Sequence, residues 1–230
     1  MSPPMRVAAL YDVHGNLPAL EAVLAEVPDD AAVVLGGDVA AGPFPGETVE
    51  RLRGLGGRVR WLRGNADREL TPGEDGHAPP ELIEWIRERM TVEQIAFLHG
   101  LPPTLTLDVD GLGRVLFCHA VPGNDMDVFT EATPEERVAP SFEGVDADLV
   151  VVGHTHMQFD RGIAGVRVVN AGSVGMAYED EPGAYWALLG PAVEHRRTAF
   201  VPQPNDFPDS RPTPSRAEVL AFFETLAVGS

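Results

Sequence analysis

The sequence predicts an α/β layered fold, and three observations support this prediction. Short β-like runs alternate with helical segments through the first half of the chain, which is typical of α/β proteins. Several of these runs are continuously apolar, as in strands that are buried on both faces. With 230 residues and 44% apolar composition, the chain is long enough to bury one sizeable core, so we expect a single domain over residues 1–230.

The first half of the chain predicts repeated strand–loop–helix units. Strands are predicted over residues 6–11, 32–35 and 58–62, and helices over residues 17–26 and 47–52. Asn16 is a suitable N-cap for the first helix. Because open α/β sheets bind ligands at the carboxyl ends of their strands, the polar residues that follow these strands are candidate site residues.

Residues 71–103 are predicted to form a helical insertion that acts as a lid. Leu82, Ile83 and Ile86 have helical spacing, and the segment Thr91-Val92-Glu93-Gln94 fits a capping box that starts a second helix. After the insertion, a hairpin is predicted over residues 104–109 and 114–119, a helix start at residue 133, and strands over residues 149–152, 166–169 and 185–189. Residues 201–230 are predicted to form a Pro-rich connector and a C-terminal helix.

Charge and cysteine content exclude several classes of function. Lys and Arg number 17 against 35 Asp and Glu, a net charge of −18 that repels long nucleic acids and anionic membranes. A small phosphorylated substrate remains compatible with this charge, because a bound metal inverts the field locally. The lone Cys118 and the absence of a signal peptide or a long apolar run predict a cytoplasmic protein, with no membrane span.

Seven polar residues that follow predicted strands are candidate metal ligands. They occur in five motifs: Asp12-x-His14, Gly37-Asp38, Gly64-Asn65, Cys118-His119 and Gly153-His154-Thr155-His156. Residues i and i+2 of an extended segment point the same way. Asp12 and His14 are therefore expected to face one region, and so are His154 and His156. Adjacent residues of a strand face opposite ways, so Cys118 is interpreted as a buried apolar residue rather than a thiol nucleophile.

These residues are too many for one tetrahedral ion. If Asp38 bridges two ions, the remaining ligands divide evenly between them. A set of nitrogen and oxygen ligands without thiolate favours Mn, Fe, Zn, Co or Ni. We therefore expect two divalent transition-metal ions, with manganese favoured, in the arrangement that phosphoryl chemistry uses.

The five motifs, in this order, resemble the signature of the calcineurin-like metallophosphoesterases. The neighbouring residues 12–16, 64–67 and 170–174 are similar to those of the small bacterial and archaeal phosphodiesterase branch, the YfcE-like group. The resemblance covers roughly residues 5–200. It implies a four-layer α-β-β-α sandwich with a dimetal site at its rim.

The resemblance also implies a ligand assignment and a reaction. One ion would be held by Asp12, His14, Asp38 and His156, and the other by Asp38, Asn65, His119 and His154. A hydroxide that bridges the ions would attack phosphorus in line, and the ions would lower the pKa of that water. The expected substrate is a small phosphodiester or a nucleotide-type phosphate ester.

Ala66 departs from the family pattern, which has a histidine at this position. Alanine cannot protonate a leaving group, and a positioned acid is worth about 10²–10⁴-fold in rate. We therefore expect substrates whose leaving group needs little protonation, unless His77 or His99 of the insertion replaces the missing acid. Asn65 and Asp67 are the other candidate catalytic residues, and Arg68 is the candidate substrate-binding residue.

Two alternatives stay open at this stage. A phosphomonoesterase, including a protein phosphatase, would use the same metal ligands. A non-catalytic scaffold for protein partners would tolerate decay of the ligand set, whereas all seven candidate ligands are intact here. A homo-oligomer is compatible with the sequence.

Overall fold

The computed structural model describes residues 5–74, 76, 78–208 and 214–228, so His77 lies outside the described residues. The strands within these ranges are Arg6–Leu10 (β1), Ala31–Leu35 (β2), Val59–Trp61 (β3), Thr104–Val109 (β4), Gly113–Cys118 (β5), Leu149–Val152 (β6), Phe159–Ile163 (β7), Val166–Asn170 (β8), Ala184–Leu189 (β9) and Val193–Thr198 (β10). The α-helices are Leu17–Glu26 (α1), Pro45–Arg53 (α2), Asn65–Glu69 (α3), Pro80–Arg87 (α4), Val92–His99 (α5), Glu135–Val138 (α6) and Arg216–Leu226 (α7).

The strands form two mixed sheets of five strands each. The first has the order β10-β9-β1-β2-β3, in which β1, β2 and β3 are parallel. The second has the order β4-β5-β6-β8-β7, in which β5, β6 and β8 are parallel. In each sheet the remaining strands pair antiparallel to their neighbours. In the second sheet the parallel strands are therefore at the centre, whereas in the first sheet they occupy one side, with β3 at the edge.

Alternate residues of β1 face two different cores, because successive side chains of a strand point to opposite faces. Val7 and Ala9 contribute to the core between the two sheets, which also contains Phe117 of β5. Ala8 and Leu10 face the helices that cover the first sheet. A third core covers the outer face of the second sheet around Phe142. This arrangement confirms the predicted four-layer sandwich.

The predicted lid, residues 71–103, packs its helices against the first sheet. Ile83 and Ile86 of α4 and Leu98 of α5 are buried in the same core as α1 and α2. Arg87 also donates hydrogen bonds to the carbonyl oxygens of Leu70 and Glu69. The two helices are thus part of the outer helical layer, and a lid movement stays a prediction.

Three elements of the structure were not expected. Both β7 and β10 are edge strands, and their apolar pattern is weak because only the two end residues of β7 are buried and four of the six residues of β10 are exposed. Edge strands gain their order from backbone pairing with one neighbour, which leaves little apolar signal in the sequence. The third element, α3, has five residues and begins at the candidate ligand Asn65.

The described part of the C-terminal segment contains an irregular stretch and a helix. Residues 201–208 lack regular structure, and Ser215 starts α7 with the expected capping box to Glu218. The longest described helix, α7, has 11 residues, and none of the described helices has the length and apolar character that a membrane crossing requires.

Candidate metal centre

Backbone conformation distinguishes the candidate ligands. Among the described residues, six non-glycine residues have a positive φ, and five of them are candidate ligands: Asp12 (52°), His14 (45°), Asp38 (54°), His154 (66°) and His156 (59°). This conformation costs a non-glycine residue roughly 1–3 kcal/mol and persists where the surrounding structure enforces it, most often at functional sites. The loops after β1, β2 and β6 are therefore shaped for the positions of these side chains.

The expectation of extended geometry for the two spaced pairs is wrong. Both members of each pair have left-handed backbone, so sharp turns aim their side chains. Asp12 and His14 do lie in one cluster, but His154 and His156 lie in different clusters. The physical reason is that period-two alternation applies only to extended backbone.

Two glycines of the motifs allow the close packing around Asp38. A Cβ atom at Gly64 would lie 2.1 Å from Asp38 Oδ1. At Gly37, where φ is +97°, a Cβ atom would lie 2.7 Å from His119 Nδ1. Only glycine fits at these two positions, which explains why a glycine precedes both Asp38 and Asn65.

The first cluster consists of Asp12, His14 and His156. His14 Nε2 lies 3.1 Å from His156 Nε2, and His156 Nε2 lies 3.5 Å from Asp12 Oδ1. All three residues are buried. The loops after β1 and β6 supply them, so the first cluster joins the two sheets.

The second cluster consists of Asp38, His119 and His154. His119 Nε2 lies 3.2 Å from His154 Nδ1 and 3.4 Å from Asp38 Oδ2. Asp38 Oδ2 is also 3.9 Å from His14 Nε2 in the first cluster. The carboxylate thus faces both clusters, in the position that a shared ligand needs.

Asn65 presents its amide oxygen to the second cluster. Its Oδ1 atom lies 3.0 Å from His119 Nε2, while its Nδ2 atom donates to Glu69 Oε1 at 3.0 Å. Glu69 is buried, and its other carboxylate oxygen accepts from the backbone N–H of Ala78 at 3.2 Å. Glu69 therefore fixes the orientation of the amide. Glu69 was missed from the sequence alone because the short helix α3 was not predicted. In a helix, residues four apart such as Asn65 and Glu69 are neighbours on one face.

The outer nitrogens of three histidines bind backbone carbonyl groups. His14 Nδ1 is 3.1 Å from the oxygen of Ala41, His156 Nδ1 is 2.8 Å from that of Met176, and His119 Nδ1 is 2.9 Å from that of Gly36. A carbonyl only accepts, so each Nδ1 carries the hydrogen and each Nε2 faces a cluster. Hydrogen bonds of this kind orient metal-binding histidines.

Two features of the first cluster fit a cation. Asp12 Oδ1 is buried without a hydrogen-bond partner, although Oδ2 accepts from the backbone N–H of His154 at 2.9 Å. The Nε2 atoms of His14 and His156 face each other at 3.1 Å, and in neutral imidazoles of the observed orientation both carry lone pairs. An unpaired carboxylate oxygen beside two converging lone pairs is an arrangement that a positive ion satisfies.

The pKa values show where the clusters favour positive charge. Burial lowers the pKa of His119, but Asp38 and Asp12 outweigh it and raise this pKa to about 10. Burial raises the pKa of Asp38, but His119 outweighs it and holds the pKa well below its usual range. Burial and the neighbouring His119 lower the pKa of His154 to about 4. A proton on His119 thus balances the carboxylates, in the place that a bound cation would take.

Asp67 lies behind the clusters. Its Oδ2 atom accepts from the backbone N–H groups of Asp38 and Gly64 at 2.8 and 3.1 Å, and its Oδ1 atom accepts from Val39 at 2.9 Å. Burial and the neighbouring Asp38 raise its pKa to about 7. With both oxygens engaged by the backbone, Asp67 holds the Asp38 loop in place. This geometry favours a positioning role over the predicted catalytic role.

Arg68 lies beside the second cluster, as a substrate-binding residue would. Its Nε and Nη2 atoms each lie 3.1 Å from an oxygen of Asp125. Arg63, Arg68 and His119 line a cavity of about 340 Å³. Arg63 donates to the carbonyl oxygen of His99 at 2.8 Å. This side of the site is therefore polar and carries two guanidinium groups.

The loop after β8 supports the first cluster. Ser173 Oγ donates to the carbonyl oxygen of Asp12 at 2.8 Å and accepts from the N–H of Met176 at 2.8 Å. Asn170 Nδ2 donates to the carbonyl oxygen of Gly153 at 2.7 Å. These bonds tie together the two loops that carry Asp12 and His154.

A larger cavity, of about 890 Å³, opens beside the first cluster. His14 lines it, together with the segment around Met176 and Tyr178 and one face of α7. No sequence pattern indicated this cavity, because α7 follows His14 by about 200 residues and no regular spacing links them.

Two clusters of nitrogen and oxygen ligands at the rim of an α-β-β-α sandwich define the class of protein: a hydrolase with a candidate two-metal site. The chain belongs to the calcineurin-like phosphoesterase superfamily, whose domain model matches residues 5–189. The predicted superfamily is thereby confirmed.

Small archaeal and bacterial proteins are similar to this chain. An uncharacterized protein of Methanocaldococcus jannaschii is 29% identical over 199 residues, which cover 80% of this chain and 74% of that protein. A metallophosphoesterase from Sphaerobacter thermophilus is 25% identical, with a TM-score of 0.69 over 86% of this chain and 90% of the other. A hypothetical protein from Pyrococcus horikoshii is 22% identical, with a TM-score of 0.73 over 86% of this chain and 89% of the other. This similarity shows that the two proteins share a fold.

Proposed function

We propose that this protein is a metal-dependent phosphoesterase that hydrolyses phosphodiester or nucleotide-type phosphate bonds with two divalent transition-metal ions, manganese favoured. The observation that carries the proposal is the assembly of all seven candidate ligands in two adjacent clusters with Asp38 facing both. One ion would be held by Asp12, His14, Asp38 and His156, and the other by Asp38, Asn65, His119 and His154.

The chain's own residues set the conditions for this chemistry. When bound, two such ions supply an activated water and neutralise charge on the phosphate. Carbonyl groups keep the three histidines oriented before a substrate arrives, and Glu69 keeps the Asn65 oxygen turned inward. Two carboxylates offset only half of the four positive charges of two divalent ions, so the loaded site would attract an anionic ester.

Arg68 is proposed to orient the substrate on the side of the second cluster. Its bidentate pair with Asp125 fixes the guanidinium beside His119. A planar guanidinium suits an anionic oxygen of a phosphate. Because Asp125 already engages Arg68, the arginine is pre-oriented.

Ala66 supports a preference for substrates with good leaving groups. Its side chain offers no proton, and its backbone N–H donates to Asp38 Oδ1 at 2.8 Å. His99, the described histidine considered as a replacement acid, has its Nδ1 atom 3.0 Å from Thr71 Oγ1. Nucleotide and aryl esters, whose leaving groups need little protonation, therefore fit better than alkyl monoesters.

The test compares two chromogenic substrates. Metal-stripped protein is reloaded with Mn²⁺ and assayed with bis(p-nitrophenyl) phosphate and with p-nitrophenyl phosphate. We expect faster turnover of the diester and two ions per chain. Ala66→His should raise turnover of an alkyl phosphomonoester by about tenfold or more, since a positioned acid contributes at least that much. Ala66→Gln, similar in size but without an acid, is the control and should give no gain.

The outcomes separate the remaining alternatives. A preference for the monoester would contradict the phosphodiesterase assignment and favour a phosphomonoesterase. No turnover of either ester together with weak metal binding would contradict the enzyme proposal and favour a scaffold for protein partners. The cytoplasmic location stays a prediction, based on the lone Cys118.

A further inference from the structure

We propose that the C-terminal segment builds a binding cavity for an uncharged aromatic group of the substrate, next to the first cluster. This inference rests on the proposed function, because it concerns the group that the phosphate carries. His14 of the first cluster lines the cavity of about 890 Å³ directly. The Tyr178 ring, also in the lining, stacks on the His156 imidazole at 5.0 Å between centroids and 19° between planes. A group attached to a phosphate at the first cluster would therefore extend into this cavity.

Aromatic rings form much of the cavity wall. The rings come from Tyr178, Phe200, Phe207, Phe222 and Phe223. Phe222 and Phe223 are on the side of α7 that lines the cavity, and the ring centroid of Phe223 lies 6.3 Å from that of Tyr178. Phe222 is 59% exposed, which core packing does not explain. Exposed aromatic side chains at the opening of a cavity are suited to stacking on a planar ligand group.

Helix α7 is fixed at both ends, so the wall exists before a ligand binds. Near its start, Arg216 pairs with Glu179 at 3.0 Å and with Glu131 at 2.8 Å. Near its end, Glu224 accepts from the hydroxyls of Thr130 and Thr133 at 2.6 Å each. A wall held in this way loses little conformational freedom on binding, which favours affinity.

The charges around the cavity indicate which part of a substrate it accepts. Among the described residues, its lining includes Glu179, Glu181 and Glu218 but no lysine or arginine, so this lining offers a second phosphate no cationic partner. The guanidinium groups of Arg63 and Arg68 lie on the other side of the site, beside His119. The aromatic cavity is therefore suited to a neutral aryl or nucleoside group, with any further anionic group directed toward the arginines.

The test measures binding rather than turnover. Methylphosphonate and phenylphosphonate carry the same acidic group and differ only in the ring. Their affinities for Mn²⁺-loaded protein are measured by isothermal titration calorimetry. We expect phenylphosphonate to bind about tenfold more tightly, in the range that ring stacking provides. Phe222→Ala and Phe223→Ala should each reduce this ratio to about threefold or less, while the affinity for methylphosphonate stays unchanged.

Leu226→Ala is the matched control. Leu226 is also on α7 and 52% exposed, but it lies one turn beyond the cavity lining, so its removal should leave the ratio unchanged. Because Phe222 is largely exposed, its substitution leaves the core intact, and circular dichroism checks the fold of each variant.

Each outcome bears on one of the two proposals. The aromatic-cavity proposal would be wrong if the unmodified protein bound both phosphonates equally well. It would also be wrong if neither phenylalanine variant changed the ratio of the two affinities. The phosphoesterase proposal would stand in both cases. If neither phosphonate binds the loaded protein, the proposed function fails and the cavity assignment fails with it. A clear preference for the ring without hydrolysis of either nitrophenyl ester would support the cavity and contradict the esterase.

Discussion

The two ligand clusters differ more in their surroundings than in their ligands. The first cluster borders a wide, largely aromatic cavity, and the side chains of His14 and His156 are 10% and 9% exposed. The second borders a smaller polar cavity, and there the side chain of His119 is 1% exposed while His154 is half-buried. Asp38 also lies nearer to the second cluster, at 3.4 Å against 3.9 Å. We infer from the wider cavity that a substrate approaches beside the first cluster, and from the shorter Asp38 distance that the second cluster would hold its ion more tightly.

Asp38→Asn should have the largest effect, because it removes the carboxylate that both clusters share. We expect kcat/KM for the diester to fall about 10³-fold, since losing several kcal/mol of metal-based stabilisation has that size. Inductively coupled plasma mass spectrometry should show fewer than two ions per chain. Asp146, 87% exposed and paired with Arg114, gives the control variant Asp146→Asn, which should retain both metal and activity. Full metal content in Asp38→Asn would contradict the shared-ligand assignment.

Glu69→Gln should weaken the second cluster alone. The glutamine keeps the size of the side chain but loses one of the two acceptors that Asn65 and Ala78 use. We expect about 10–100-fold weaker binding of one ion, the usual range when a residue that orients a ligand is changed. Competition with a chelator measures this, and the first cluster serves as the internal control. Weakening of both ions to the same degree would remove the distinction between the clusters.

Cys118 should give the smallest effect. The residue precedes the candidate ligand His119, but it is buried and its burial raises the thiol pKa to about 12. At pH 8 only about one thiol in 10⁴ would then be ionised, so we expect no reaction of the folded protein with a disulfide reagent. Cys118→Ala should retain activity within about threefold, since it removes a small buried group. Rapid labelling with loss of activity would restore the thiol nucleophile as an alternative.

Much of the fold and the grouping of the candidate ligands at the strand ends could be predicted from local patterns in the sequence. The central strands are apolar runs that end at glycine or polar residues, so both the strands and the ligands after them were predictable. β7 and β10 were not predictable, because these edge strands contain few buried residues. The left-handed turns at Asp12 and His154 were also missed, since backbone conformation at a non-glycine residue is imposed by tertiary structure.

The aromatic wall shows what a pattern search over short spacings cannot find. Phe222 and His14 line one cavity, although they are about 200 residues apart in the chain. The connector and α7 were predicted as elements, but their position depends on contacts such as the pair of Arg216 with Glu179. Such long-range contacts leave no periodic signal.

The position of each cluster between the sheets has a consequence for the unfolded chain. His14 and His156 of the first cluster are 142 residues apart in sequence, and Asp38 and His154 of the second cluster are 116 residues apart. An ion that joins such residues would act as a reversible cross-link closing a very long loop. By the chain-entropy argument for disulfides, closing a loop of about 100 residues is worth about 4.7 kcal/mol. A chain with a single cysteine, which has no partner for an internal disulfide, would in this way gain a comparable restraint from the proposed ions.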